Sequence, residues 1–135
     1  MHDFAAGQKC QVLPYDVAKG VYELGKVHAG GFRCVHGTSA GINALRAEVT
    51  AYNRVIHGHV HTRAHTLNST FDPSEGYTCP CLCRLDMSYS KTWKASLRHA
   101  HGWLFGIMNN RTGAVVVNEA RSIDGKFIYS SQFNV

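Results

Sequence analysis

The stretch VIHGHVHTRAHT, Val55 to Thr66, carries His57, His59, His61 and His65 directly after an apolar run. Neutral imidazole binds a divalent transition metal through one ring nitrogen, and two or three rings must converge to compete with water. The same side chains could instead carry protons, form a phosphate-binding patch or simply face solvent. In an extended segment His59 and His61, two residues apart, point the same way, and Gly58 allows a sharp turn just before them. Strict alternation would add His57 to that face, but the glycine interrupts it. The cluster contains no carboxylate. A single histidine at a strand end is ordinarily a polar surface residue, and His2, His28, His65, His99 and His101 read that way.

The elements around the cluster decide what it can reach. In GFRCVHG the apolar run Phe32 to Val35 predicts a buried strand ending at His36 and Gly37. SAGINALRAEVTAYN then places Ile42, Leu45, Val49 and Tyr52 at helical spacing, with Ser39 as N-cap and Asn53 as stop. The β-branched RVIHGHVH follows at once, so the order is strand, His-Gly, helix, strand, His-Gly-His-x-His. This is a βαβ unit, whose strands run parallel and whose functional loops gather at the carboxyl ends of the strands. His36 and the loop from His57 to His61 are therefore expected at one sheet edge, with His36, His59 and His61 as the candidate metal ligands.

Upstream, Gln11 to Pro14 is a short apolar run and GVYELG reads as a strand closed by glycine. Downstream, EGYTCPCLCRL, GWLFGIMN, GAVVVNEARSI and GKFIYS read as mainly antiparallel or irregular, with NNRTG and IDGK as hairpin turns. SYSKTWKASLRHAHG reads equally as short helix or loop. Cys79, Cys81 and Cys83 alternate and would share one face of a strand. Without a paired Cys-x-x-Cys hook elsewhere they are expected to serve as small buried apolar residues rather than zinc ligands. Trp93, Trp103 and Phe105 are expected in the core or an interface.

A chain of 135 residues with 44% hydrophobic and 17% charged residues matches one globular domain spanning 1–135. The formal charge of +5 favours anionic partners such as phosphates or nucleic acid, although the Lys and Arg are scattered rather than in a basic run. Five cysteines, an odd number, fit reduced thiols. The N-terminus lacks the pattern of a secretory signal and no long apolar run occurs, so the expectation is a cytoplasmic protein without membrane contact.

CVHG, a helix and then VIHGHVH resemble the last two motifs of calcineurin-like metallophosphoesterases, the final one being Gly-His-x-His after a strand. LPYDVAKGVYELGKVHAGGFRCVHG is similar to the segment leading into the penultimate histidine. CPCLCRLDMSYSKTWKASLRHAHGWLFGIMN and SIDGKFIY look like the C-terminal sheet of the bacteriophage-type members. The resemblance implies the C-terminal half of a four-layer sandwich, in fold class α/β to α+β, with one βαβ unit followed by a mainly antiparallel sheet. It implies that His36 and His59 bind one ion of a dinuclear centre and His61 the other. It also implies divalent Mn, Zn, Fe or Ni, used to hydrolyse a phosphomonoester or phosphodiester, nucleic acid included, in the cytoplasm of a host cell. The residues beyond the metal ligands supply no further catalytic group.

The family's N-terminal half carries Asp-x-His, Gly-Asp-x-x-Asp with the bridging carboxylate, and Gly-Asn-His-Asp/Glu. None of these occurs here, and MHD at the start is at most a remnant of the last. Two expectations follow. One is half an enzyme, inactive alone and complemented by a separately encoded N-terminal phosphoesterase half. The other is a non-catalytic binding or structural protein derived from a truncated phosphoesterase, self-associating or inhibiting a host defence complex, because half a sandwich exposes a sheet edge and an apolar face. A single zinc or iron ion held for a structural purpose is a third, weaker reading.

Overall fold

The computed structural model describes residues 13–37, 39–68, 74–85 and 99–128. Its larger sheet contains β1 (Tyr15–Asp16), β2 (Val21–Leu24), β3 (Phe32–Val35), β4 (Arg54–His57), β5 (His65–Asn68) and β6 (Ser74–Thr78), in the order β1-β2-β3-β4-β6-β5. A second sheet contains β7 (Gly102–Met108), β8 (Val115–Ile123) and β9 (Lys126–Ile128). Among the described residues the one α-helix is α1 (Ala44–Tyr52). A mixed sheet, an antiparallel sheet and a single helix are compatible with an α+β fold.

The βαβ unit forms where the sequence places it. Strands β3 and β4 pair in parallel, with Val35 opposite His57, and α1 crosses between them. Leu45 and Val49 of α1 pack with Val21, Val35 and Val55 of the sheet to form the core. Gly76 in β6 is what lets the helix come this close, since a Cβ there would overlap Val49 and crowd Leu45 and Val55. The helix stops at Asn53, whose φ is 62° and whose backbone N–H donates to the Val49 carbonyl.

Three expectations about the elements are corrected. The helix starts at Ala44 rather than Ser39: Gly41 has φ +93°, outside the helical region, and Ile42 is 78% exposed in the turn that follows. The stretch from Glu75 is not antiparallel to its main partner. Strand β6 pairs in parallel with β4 and antiparallel only with β5, which makes β4 a central strand. CPCLC is not a strand either. Cys79 and Pro80 follow the end of β6, and Cys81 makes an isolated bridge with His101, so the three thiols do not share a strand face.

The C-terminal hairpins match expectation. Strands β7 and β8 pair from Gly102↔Arg121 to Met108↔Val115, joined through NNRTG, and β8 pairs with β9 through Asp124-Gly125, both at positive φ. Several contacts tie this sheet to the larger one, among them the Val115 N–H donating to the Gly30 carbonyl at 3.0 Å. Arg54, whose guanidinium lies 4.2 Å over the Phe32 ring, donates to the Val115 carbonyl at 3.3 Å. Arg63 forms a two-pronged ion pair with Glu119 of β8. Trp93, most of SYSKTWKASLRHAHG, the Gln11 end of the first apolar run and MHD lie outside the described residues.

Candidate metal centre

The carboxyl ends of β3 and β4 bring their histidines together as the βαβ reading requires. His36 directly follows β3, and His59 lies two residues past β4. Their rings face each other at 4.8 Å between centroids and 58° between planes. His36 Nδ1 lies 3.0 Å from the Gly37 carbonyl. A carbonyl can only accept, so Nδ1 carries the proton and Nε2 keeps the lone pair that a metal needs. Second bonds of this sort commonly orient metal-binding histidines.

His59 and His61 do not sit side by side on an extended segment, and this corrects the sequence reading. Val60 N–H donates to the Gly58 carbonyl at 2.7 Å, closing a three-residue turn centred on His59. The left-handed residues are His59 at φ 64° and His61 at φ 53°; the glycine before them is not among the positive-φ positions. Non-glycine residues adopt this region rarely, at a cost of roughly 1–2 kcal/mol each, and cluster where a site needs them. The turn splits the pair. His59 goes to His36, while His61 meets His99 edge-on at 5.5 Å.

All four rings line one cavity of about 780 Å³, walled by Ala40 to Ile42, Ala44 and Leu45 at the start of α1 and by Val60 to Ala64 after β4. Thr78 completes the wall, and no aspartate or glutamate lines it. Burial pushes the His61 pKa down, and the neighbouring His99, His59 and His36 push it further the same way. The ring is thereby held in the neutral form that ligation uses.

A second group of donors adjoins the first. His61, Cys81 and Cys83 present ligand atoms that all lie within 4.8 Å of one another, an arrangement that could hold a metal ion. Cys83 is exposed and so is not the buried apolar thiol expected from sequence, whereas Cys81 is largely buried. His99 and His101 are also more than surface residues. His99 presses on His61, and His101 Nε2 donates to the Cys83 carbonyl at 2.8 Å. The signal available in sequence was the pair of x-spaced motifs Cys81-x-Cys83 and His99-x-His101, but nothing local says that they meet.

His57 does not join the loop histidines on the cavity wall. It is 0% exposed, on the α1 face of β4 with Val55, and neither ring nitrogen has a hydrogen-bond partner. Gly37, at φ +78°, lies against it so closely that a Cβ would overlap the ring and crowd Glu48. Burial depresses the His57 pKa, with the Glu48 charge opposing. His65 is an exposed surface residue, as expected, stacked on Tyr77 and bonded to Glu75.

No family model matches the chain, and neither a curated protein nor a solved structure does. Among the described residues no helix is long and apolar enough to cross a membrane.

Proposed function

We propose that this chain supplies the imidazole side of a dinuclear metallophosphoesterase centre, whose carboxylate side comes from residues outside it. The observation that carries the reading is the joint placement of His36, His59 and His61 on one cavity wall beyond two neighbouring parallel strands, with no carboxylate among the lining residues. The resemblance of CVHG and VIHGHVH to the last two phosphoesterase motifs names the chemistry for which such an arrangement is used.

The residues fit divalent ions of the Mn, Zn, Fe or Ni group. His36 offers Nε2 because Gly37 holds Nδ1, His59 stands against it, and His61 is kept neutral by its surroundings. Ions at such a centre would acidify a bound water and neutralise phosphate oxygens. The chain's own part is to fix the imidazoles on a rigid sheet edge and to leave an open cavity large enough for a phosphate ester. Arg63 lines that cavity, but its charge is engaged by Glu119, so it braces the wall against β8 rather than standing free for phosphate. Without carboxylates the centre is half-built and the chain alone is inactive.

The deciding experiment mixes the purified chain with manganese and bis-(p-nitrophenyl) phosphate, alone and with the polypeptide encoded immediately upstream. Turnover in the mixture only, abolished by His36→Ala or His59→Ala, is the expected result. No turnover in the mixture overturns the reading and favours the non-catalytic binding protein.

A further inference from the structure

We infer that His61, Cys81 and Cys83, with His99 as fourth donor, form a thiolate-imidazole site for one zinc-like dication, which fastens the loop after β4 to the segment that follows β6 and the segment that precedes β7. Zinc in a tetrahedral structural site binds thiolate at about 2.3 Å and imidazole at about 2.0–2.1 Å, which puts ligand atoms roughly 3.3–3.8 Å apart. The three donor atoms here lie within 4.8 Å of each other. The remaining gap, about 1 Å, is of the size that side-chain rotation closes.

The backbone already holds these donors in register. Ala100 N–H donates to the His61 carbonyl at 2.9 Å, Cys81 N–H to the Ala100 carbonyl at 3.1 Å, and Gly102 N–H to the Cys81 carbonyl at 3.2 Å. Thr62 bridges His99 and Cys81 bridges His101, while His101 holds the Cys83 carbonyl. Three chain segments distant in sequence therefore cross where the ligand atoms converge. Pre-positioned ligands lose little freedom on binding, which favours affinity.

His99 supplies the independent observation. Its Nδ1 is buried without a hydrogen-bond partner, and its ring packs edge-on against His61, one of the three converging donors. A buried nitrogen left without a partner on a ring in contact with one of the ligands would be satisfied by completing the coordination sphere. Two thiolates and two neutral imidazoles also balance the charge of a dication. The hard cations magnesium and calcium prefer oxygen donors and do not fit. This site goes beyond the phosphoesterase reading and stands without it; His61 is assigned to both, and because a neutral imidazole gives its lone pair to one ion, an ion at the thiolates leaves His36 and His59 as the histidine pair of the other centre.

Cobalt(II) replaces zinc in such sites and reports its ligands. The test titrates the reduced, untagged, metal-stripped chain with cobalt(II), recording the thiolate-to-cobalt charge-transfer band and the visible bands of tetrahedral geometry, with circular dichroism to establish that the chain is folded. The expected result is saturation of the charge-transfer band at one equivalent and its loss on adding zinc. Cys83→Ser, at an exposed position, weakens cobalt binding at least about tenfold, and His99→Ala shifts the visible bands, whereas His36→Ala and His59→Ala leave the charge-transfer band in place. A folded wild-type chain that shows no charge-transfer band overturns the site, as does a band unchanged in both Cys81→Ser and Cys83→Ser. No phosphate ester is present, so failure of the hydrolysis experiment and failure of this one are independent.

Discussion

The rings of His36 and His59 stand 4.8 Å apart although 23 positions separate them, because they lie one and two residues past the ends of two adjacent parallel strands. Neither side chain is buried, so removing either leaves the core intact. His36→Ala and His59→Ala should each lower the affinity for nickel(II) by more than the roughly 10–100-fold that loss of a merely supporting partner costs. The double variant should be little worse than either single one, since one imidazole alone does not compete with water. Calorimetric titration in a Cys81→Ser, Cys83→Ser background isolates this pair from the thiols. Equal affinity in wild type and both single variants would remove the pair as a metal site.

Gly37 is where the βαβ crossover presses hardest on the centre. Its φ of +78° strains any residue with a Cβ, and that Cβ would overlap His57. The left-handed cost alone is about 1–2 kcal/mol, and relieving the overlap must displace either the buried ring or the turn that follows β3. Gly37→Ala should therefore destabilise the chain by at least about 2 kcal/mol in urea unfolding. It should also weaken nickel binding, because Gly37 is the residue whose carbonyl orients His36. A variant as stable as the parent would mean that the approach to His57 is looser than described.

How far the sequence foretold this arrangement depends on how local each signal was. FRCV and RVIH are short β-branched or apolar runs bounded by helix and glycine signals, so the parallel pair and its crossover were legible. The start of α1 was not, because Ile42 fits the helical spacing yet sits beyond Gly41, whose positive φ keeps that turn outside the helix. The inward place of His57 is legible from its period-two relation to Val55, both fully buried on the α1 face of β4. Cys81 and Cys83 meet His61 only through backbone bonds to the segment before β7, a pairing between distant parts of the chain that no local pattern encodes.

Acid should loosen the chain through His57. Burial lowers its folded pKa below the ordinary value of 6.5, so in acid the unfolded chain binds a proton that the native state refuses. Stability from this residue is complete above about pH 6.5 and is lost as pH falls from there through the depressed folded value. His61, also depressed mainly by burial, adds a loss of the same sign. Urea midpoints measured with chelator present should fall between about pH 7.5 and about pH 5.5, and the fall should be shallower in His57→Gln. An identical slope in parent and variant would assign the acid sensitivity elsewhere.

Glu75 ties together the face of the large sheet opposite α1. Its carboxylate pairs with Arg54 at 3.0 Å, accepts from the Tyr77 hydroxyl and from His65, and sits only partly exposed. Arg54 in turn covers Phe32 and donates to Val115, one of the bonds that join the second sheet. Removing the negative charge leaves a half-buried guanidinium, whose Nε already lacks a partner, without its counter-ion. Glu75→Gln should cost about 1–3 kcal/mol, within the range for a charged hydrogen bond lost from a partly buried group. Burial chiefly, and Glu75 next, push the Tyr77 pKa far above its ordinary value. The phenol is thus expected to ionise only as the chain unfolds in alkali, and at lower pH in Glu75→Gln. Ultraviolet titration of tyrosinate alongside circular dichroism distinguishes the two events. Ionisation of Tyr77 in a still-folded parent near the ordinary phenol value of about 10 would show that this carboxylate network does not hold the face together.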